Sequence, residues 1–498
     1  MPFLIVSFVP PRLLFRSLLF SCVVLLGCGG GGDGGAPEPE RRTSAVSPAC
    51  EGCGAVSPDT YSGSGLGVWS HRNDGVVDTD VPVYITGVGG RDVSLVFTRD
   101  TTTTSVASTG AVAATPAPAV RSLAEGPAPA IGTPRTWRHN DNSDRSTRLA
   151  GSRLARDGTR VDLWVEEGQA GDGKVSAAIV ESLLSAYADT LHDALIELGG
   201  PLWGPHVYDG GMLPDEPRPV DIVLLDFKAS GNQPRAYFWA RNNYLKAFAP
   251  DSNEALAVFL DAGSTYASAR GLAWARSNLA HEMLHLQNFY RRQVSSAFRD
   301  TYPVWLEEMT AMVFEDIVTA RLGGTYSSLR DGRLPSYLAG NANCAWMNFT
   351  AVEGGCDPYA ATGLFGAYLL RQFGVAWFSD VLHRGGNDGI TVVEGAMRAV
   401  APSSDFATAY RRFAASVSSL VQSASAPPGY GFPARQDARW GLVTIEPRDM
   451  ARYRMVPASL PATIAEWGST VLKRQPDRGV YSDLVRVPPG LTLTVVVQ

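Results

Sequence analysis

The sequence predicts an α+β protein in which a sheet lies over one long helix, with a small N-terminal β module and a C-terminal β segment at its flanks. Three observations carry that expectation. Short β-type apolar runs come first, at 64–99 and again between 160 and 260. Apolar residues at three- and four-residue spacing then dominate 270–422. The last stretch, Leu491-Thr492-Leu493-Thr494-Val495-Val496-Val497, returns to a strand pattern.

The elements follow in order. Val68, Val81–Ile85 and Val93–Phe97, with Gly-rich turns between them, form the N-terminal module, set at 61–99. Residues 100–147 are rich in Thr, Ala, Pro and polar side chains and read as a linker. The core is set at 148–426. It opens with a strand at 160–169, where Val161, Leu163 and Val165 alternate. A helix over 175–198 follows, with Ile179, Leu183, Leu184, Tyr187, Leu191 and Leu195 on its apolar face and Gly199-Gly200 as its stop. Strands are expected at 220–227, 235–243 and 255–260. Leu279, Met283, Leu286 and Phe289 then mark the central helix, and further helices are expected at 304–321, 359–373 and 405–422. Pro427-Pro428-Gly429 closes the core, and 427–498 is the C-terminal β segment.

Composition narrows the class. The 498 residues carry a net charge of −6 with only 18% charged side chains and no long basic run, which argues against nucleic acid as a partner. Arg12 and Arg16 precede an apolar stretch, Ser17–Gly27, too short to span a bilayer. It ends Leu25-Leu26-Gly27-Cys28, which resembles a bacterial lipobox. That resemblance implies removal of residues 1–27, lipidation of Cys28, and residence in the bacterial cell envelope or outside it. Residues 28–60, beginning with a glycine run, read as a flexible tether. Of the six cysteines, Cys50, Cys53, Cys344 and Cys356 remain to pair. Three pairings are possible, and the sequence-local one, Cys50–Cys53 with Cys344–Cys356, is expected.

The chemistry sits on the central helix, which reads His281-Glu282-Met283-Leu284-His285. Histidines four apart on a helix leave the same face, and Glu282 stands one residue round from them. Two imidazoles on one face are a zinc pair that needs a third ligand and an open position. Gly at 288 and His at 291 would supply a third histidine, but the chain has Asn288 and Arg291. The third ligand therefore comes from the next helix, where Glu307 and Glu308 lie about 100° apart and cannot both point at one ion. Glu308, Met312 and Glu315 share a face, so Glu308 is placed on zinc and Glu315 behind a histidine ring. Glu307 reads as a solvated charge at the helix start. His71, His139, His192 and His206 have no partner at ligand spacing and read as structural or solvated.

H-E-x-x-H followed by Trp305-Leu306-Glu307-Glu308-Met309-Thr310-Ala311 resembles the gluzincin clan of metallopeptidases. With Leu279-Ala280 before the motif, Asn288-Phe289-Tyr290 after it and Glu315-Asp316 beyond, the chain resembles the hyicolysin family of secreted bacterial peptidases. The resemblance implies a thermolysin-like zinc-protease core, with Zn2+ held by His281, His285 and Glu308 and with Glu282 as general base. One departure is that Met312 occupies the position where thermolysin-like sites keep an aspartate behind a histidine. Asp357-Pro358-Tyr359 resembles the start of the helix that carries the oxyanion tyrosine in aminopeptidase N relatives. This makes Tyr359 the first candidate for that donor and His383 the second. Ala236-Tyr237-Phe238-Trp239 loosely resembles the substrate-binding edge strand, so Phe238 and Trp239 are the substrate candidates.

The expected function is a zinc endopeptidase, secreted or held at the membrane through a lipid, acting on polypeptide. Gly-x-Met-Glu-Asn, which grips a free amino terminus in aminopeptidase N, is absent from the sequence. Two alternatives stand beside it: a surface-binding or adhesive lipoprotein that keeps a protease-like scaffold, and a zinc aminopeptidase.

Overall fold

The computed structural model describes residues 43–498 except 101–128, 207–210, 229–234, 269, 296–299, 324–325, 341, 350–354 and 477–478, together with Ile5–Val6. Residues 1–27 otherwise, and Cys28 with its glycine run, lie outside the described residues. The order of elements is α+β as expected. No described helix is long and apolar enough to cross a membrane.

The central sheet runs β8-β9-β7-β6-β5-β4, with β4 Pro134–Arg138, β5 Asp144–Leu154, β6 Arg160–Glu166, β7 Val220–Leu225, β8 Ala236–Phe238 and β9 Leu256–Asp261. Strands β6, β7 and β9 are parallel, whereas β4, β5 and β8 run antiparallel to their neighbours. The buried central strands are the apolar runs that the sequence shows, because both their faces are covered. One face packs on the helices. The other carries a smaller core of Trp137, Trp164, Tyr237, Trp239 and Phe259. Ile5–Val6 pairs antiparallel with Tyr237–Phe238 at the β8 edge.

The expected linker over 100–147 ends earlier than its composition suggests. Residues 134–138 and 144–147 belong to β4 and β5. Trp137 is fully buried between Trp164 and Phe259, and this anchors a strand in which no other residue is fully buried. The expected strand at 235–243 stops at Phe238 and becomes a 3-10 turn over Ala240–Asn243.

Helices α1 (Ala177–Ala186) and α2 (His192–Gly199) are joined by a π turn into one run, capped by Ser176 and stopped at Gly200 with φ 86°. The central helix, α3, spans Gly271–Phe289, and α4 spans Val304–Thr319. Asp357 caps α5, Pro358–Phe373, by accepting from the Ala360 amide. Two helices not anticipated follow, α6 (Val375–His383) and α7 (Gly389–Val400). Then comes α8, Phe406–Ser418, capped by Asp405.

Close approach of α5 to α4 is set by glycine. A Cβ on Gly366 would stand 2.7 Å from Met309 Cγ, and one on Gly363 would stand 2.6 Å from Met312 Sδ. Further along the same seam the Arg371 guanidinium pairs with the buried Asp316 carboxylate, holding the two helices in register.

The β segments at the two ends of the chain form one two-sheet sandwich. Strands β1 (Gly67–Arg72), β2 (Thr79–Thr86) and β3 (Val93–Thr98) come from the N-terminal side. Strands β10 (Ser469–Arg474), β11 (Val480–Val487) and β12 (Thr492–Val497) come from the C-terminal side. One sheet runs β10-β3-β12-β1, with Ser47–Pro48 beyond β1; the other pairs β11 with β2. Strand β12 lies between β3 and β1, so Val495 is opposite both Leu95 and Trp69. The expected tether over 28–60 is correspondingly shorter. Within it, 43–60 holds buried Val46, strands at Ser47–Pro48 and Ala55–Ser57, and the Cys50–Cys53 disulfide. Val68, Val96, Val471 and Val496 face Ala414 and Ala415 of α8, seating the sandwich on the helical layer.

Candidate metal centre

Three side chains converge where α3 crosses α4. One ligand atom from each of His281, His285 and Glu308 lies within 4.8 Å of the others, and all three residues are buried. The imidazoles share a face through their four-residue spacing, with ring centroids 4.7 Å apart. His281 Nε2 is 3.1 Å from Glu308 Oε2, and His285 Nε2 is 3.8 Å from the same oxygen.

Each ring is fixed from behind by a carboxylate. His281 Nδ1 donates to Glu315 Oε1 at 2.6 Å, and Ser277 Oγ donates to the other Glu315 oxygen at 2.5 Å. His285 Nδ1 donates to Glu307 Oε1 at 2.9 Å. With a zinc ion on the Nε2 side, these bonds would keep both ring protons on Nδ1 and leave both Nε2 atoms facing Glu308. His285 Nε2 is buried with no hydrogen-bond partner. A buried imidazole nitrogen without a donor, facing a second imidazole and a carboxylate, fits the nitrogen and oxygen donor set of a zinc ion. Electrostatics point the same way. Burial works against a charged His281, yet Glu308 and Glu315 outweigh it and push that ring up to about 10. A site with this much buried negative charge favours a cation.

Glu315 stands where the sequence placed it, seven residues after Glu308, and it makes the contact that Met312 cannot. Glu307 corrects the sequence reading of a solvated charge. It is buried, bonded to His285 and to Asn288 Nδ2 at 3.0 Å, while Thr310 Oγ1 accepts from the same amide at 3.1 Å. The signal was available. Asn288 lies seven residues after His281, on the ligand face, and a buried amide there needs a polar partner on the facing helix. Neutralising Glu307 with Glu307→Gln is expected to weaken zinc binding about 10–100-fold. Chelator competition on the purified protein reads this directly, and an unchanged affinity would reduce Glu307 to packing.

Glu282 is buried beside the ligands. The Phe238 amide donates to its Oε2 at 2.8 Å, tying the carboxyl to the sheet edge, and burial pushes it above its ordinary value. Tyr359, one residue into α5, brings its hydroxyl to 3.5 Å from Glu308 Oε1. Its ring meets Phe349 edge-on at 4.9 Å, and the Arg333 guanidinium lies 5.3 Å from its centroid.

Other candidates sit elsewhere. His383 is exposed at the end of α6 and bonds the Ser379 carbonyl of its own helix, so it stands apart from the ligand group. Phe238 and Trp239 cannot both face a cleft, because strand alternation sends their side chains to opposite faces. Phe238 joins the helix-side core against Phe289, and Trp239 joins the core of the other face. Only the Phe238 backbone reaches the site. Cys344 and Cys356 are joined, as are Cys50 and Cys53. Of the remaining histidines, His139 bonds Tyr237, His192 bonds Tyr187 and Asp157, and His71 and His206 bond backbone carbonyls.

No curated protein matches the chain. Among solved structures, one similar chain is a two-domain M1 zinc metallopeptidase mutant bound to L-arginine. It shows 17% identity and a TM-score of 0.28, with 51% of this chain and 49% of that one covered. This chain thus spans about half of that relative's length. Another is an M1 zinc metallopeptidase mutant from Deinococcus radiodurans bound to a Tyr-Ser-Ala substrate. It shows 12% identity and a TM-score of 0.29, with 74% and 73% covered. Residues 48–110 match a domain of unknown function, DUF8571. Residues 141–498 match Peptidase M30, a span that includes α3, α4, α5 and the C-terminal strands of the sandwich. The chain belongs to the Peptidase M30 family, the hyicolysin peptidases.

Proposed function

We propose that the protein is a zinc-dependent endopeptidase, exported and held at the bacterial envelope through a lipid on Cys28. The observation that carries the catalytic part is the convergence of His281, His285 and Glu308 beside a buried Glu282. When bound there, zinc supplies Lewis acidity for the hydrolysis of an amide.

The chain's own groups do the rest. Glu282, with one oxygen held by the Phe238 amide and its pKa raised by burial, takes a proton from the attacking water. It returns that proton to the departing amine. Burial also keeps the Tyr359 hydroxyl protonated, as a donor to the developing oxyanion must be. Strand β8 brings its backbone to the site through the Phe238 amide, and a polypeptide lying antiparallel along that edge would pass beside Glu282. The endopeptidase reading further draws on the absence of the amino-terminus-gripping motif from the sequence.

Incubation with unfolded casein tests the reading. Internal fragments are expected, their formation stopped by a chelator and restored by zinc. Release of single N-terminal residues alone would make the enzyme an aminopeptidase, and no cleavage at all would favour the binding-scaffold alternative. For the anchor, labelled fatty acid is expected in the wild type and absent from Cys28→Ala; label persisting in the variant would remove the lipid assignment.

A further inference from the structure

We infer that the Cys344–Cys356 disulfide is a positioning device for Tyr359, coupling the start of α5 to the sandwich at the far end of the chain. The inference rests on the peptidase reading only for its kinetic consequence. The coupling itself is carried by contacts on both sides of the bond.

On one side, Cys356 immediately precedes Asp357, whose carboxylate caps α5 through the Ala360 amide at 3.0 Å and accepts from Ser336 Oγ at 2.6 Å. Tyr359 is two residues further on. On the other side, Cys344 sits in a segment bonded to the C-terminal region. Asn343 Oδ1 accepts from the Ala465 amide at 2.7 Å, and its Nδ2 donates to the Thr463 carbonyl at 2.8 Å. Trp346 Nε1 donates to the Trp467 carbonyl at 2.7 Å, and the Ser469 amide, at the first residue of β10, donates to the Ala342 carbonyl at 2.9 Å. The approach is close. A Cβ on Gly468 would stand 3.1 Å from the Cys344 amide nitrogen.

The loop closed by the disulfide also carries Phe349, whose ring meets Tyr359 edge-on. Tyr359 is therefore gripped twice by the same covalent loop, at its backbone through the Asp357 cap and at its ring through Phe349. A hydroxyl that must stand within hydrogen-bond reach of a reacting atom tolerates little displacement, since about 1 Å can cost on the order of 100-fold in rate. The cross-link adds a covalent tie between the segment anchored on 463–469 and the start of α5, beside the Phe349–Tyr359 and Trp346–Phe365 ring contacts. Among the described residues, no bond or ring contact joins Cys50 or Cys53 to the start of α5, and this disulfide serves as the control.

The experiment compares Cys344→Ser/Cys356→Ser, Phe349→Leu and Cys50→Ser/Cys53→Ser, each in wild-type and Tyr359→Phe backgrounds. Zinc content, and kcat and KM on a fluorogenic casein-derived peptide, are measured in each, and the rate of Tyr359 nitration by tetranitromethane is measured in the wild-type background. In the wild-type background, the first two variants are expected to lose about tenfold or more in kcat. KM and zinc content should be unchanged, and nitration of Tyr359 faster. In the Tyr359→Phe background they should cost nothing further, because the group they position is gone. The Cys50→Ser/Cys53→Ser control should leave kcat and nitration unchanged. Equal losses in both backgrounds, or wild-type kcat and nitration in the disulfide variant, would overturn the inference. If the wild type cleaves no peptide, the peptidase reading fails, and the nitration rates alone decide the positioning role.

Discussion

Glu282→Gln is expected to lower kcat by about 10²–10⁴-fold while the protein keeps its zinc. The amide side chain matches the carboxylate in size and can still accept the Phe238 amide hydrogen, so the sheet edge stays docked on α3. What it cannot do is carry a proton between water and amine. Loss of activity with zinc content and melting temperature preserved isolates that role. A variant that cleaves at the wild-type rate would mean that Glu282 only fixes β8.

The second large effect is at the third ligand. Glu308→Ala is expected to abolish tight zinc binding, since two histidines alone do not complete a closed three-residue set. Structure around the site should survive better than the metal. Glu315 and Glu307 remain behind the two rings, and α4 remains packed on α5 through Gly363 and Gly366. Dialysis followed by metal analysis reads the outcome. Full zinc occupancy in Glu308→Ala would shift the ligand role to another carboxylate. The two variants separate the functions of neighbouring acids: one keeps the ion and loses the chemistry, the other loses the ion.

Much of this site was legible in the sequence because its spacing is local. His281 and His285 share a face by helical period alone, and the same arithmetic put Glu308 and Glu315 on one face of α4. Glu307 was not legible by that route. An acid in the first turn of a helix is commonly solvated, and only the crossing of α3 over α4 brings it to His285. Strand aromatics misled for the opposite reason. Phe238 and Trp239 read as a lining, but alternation divides them between two cores, and the site uses the Phe238 amide instead.

At the level of the fold, apolar runs that become β7 and β9 were readable because both their faces are buried. Strand β4 was not, because Trp137 is its single fully buried side chain among polar neighbours. Helix α6 follows directly on the Gly374 stop and α7 comes soon after it, and nothing in the local pattern demanded that the chain restart there. The sandwich was the least accessible feature. The apolar pattern identifies Val93–Phe97 and Thr492–Val497 as strands but says nothing of which strand lies beside which, and their pairing joins residues about 400 positions apart.

The central claim is that His281, His285 and Glu308 hold one zinc ion while Glu307 and Glu315 stand behind the histidines. A metal-bound crystal structure of the zinc-loaded protein tests it most directly. Two imidazole nitrogens at about 2.0–2.1 Å and a Glu308 oxygen at about 2.0–2.2 Å are the predicted result, with Glu307 still on His285 Nδ1. Zinc bound by Glu307 in place of Glu308, or lying away from the two histidines, would contradict it.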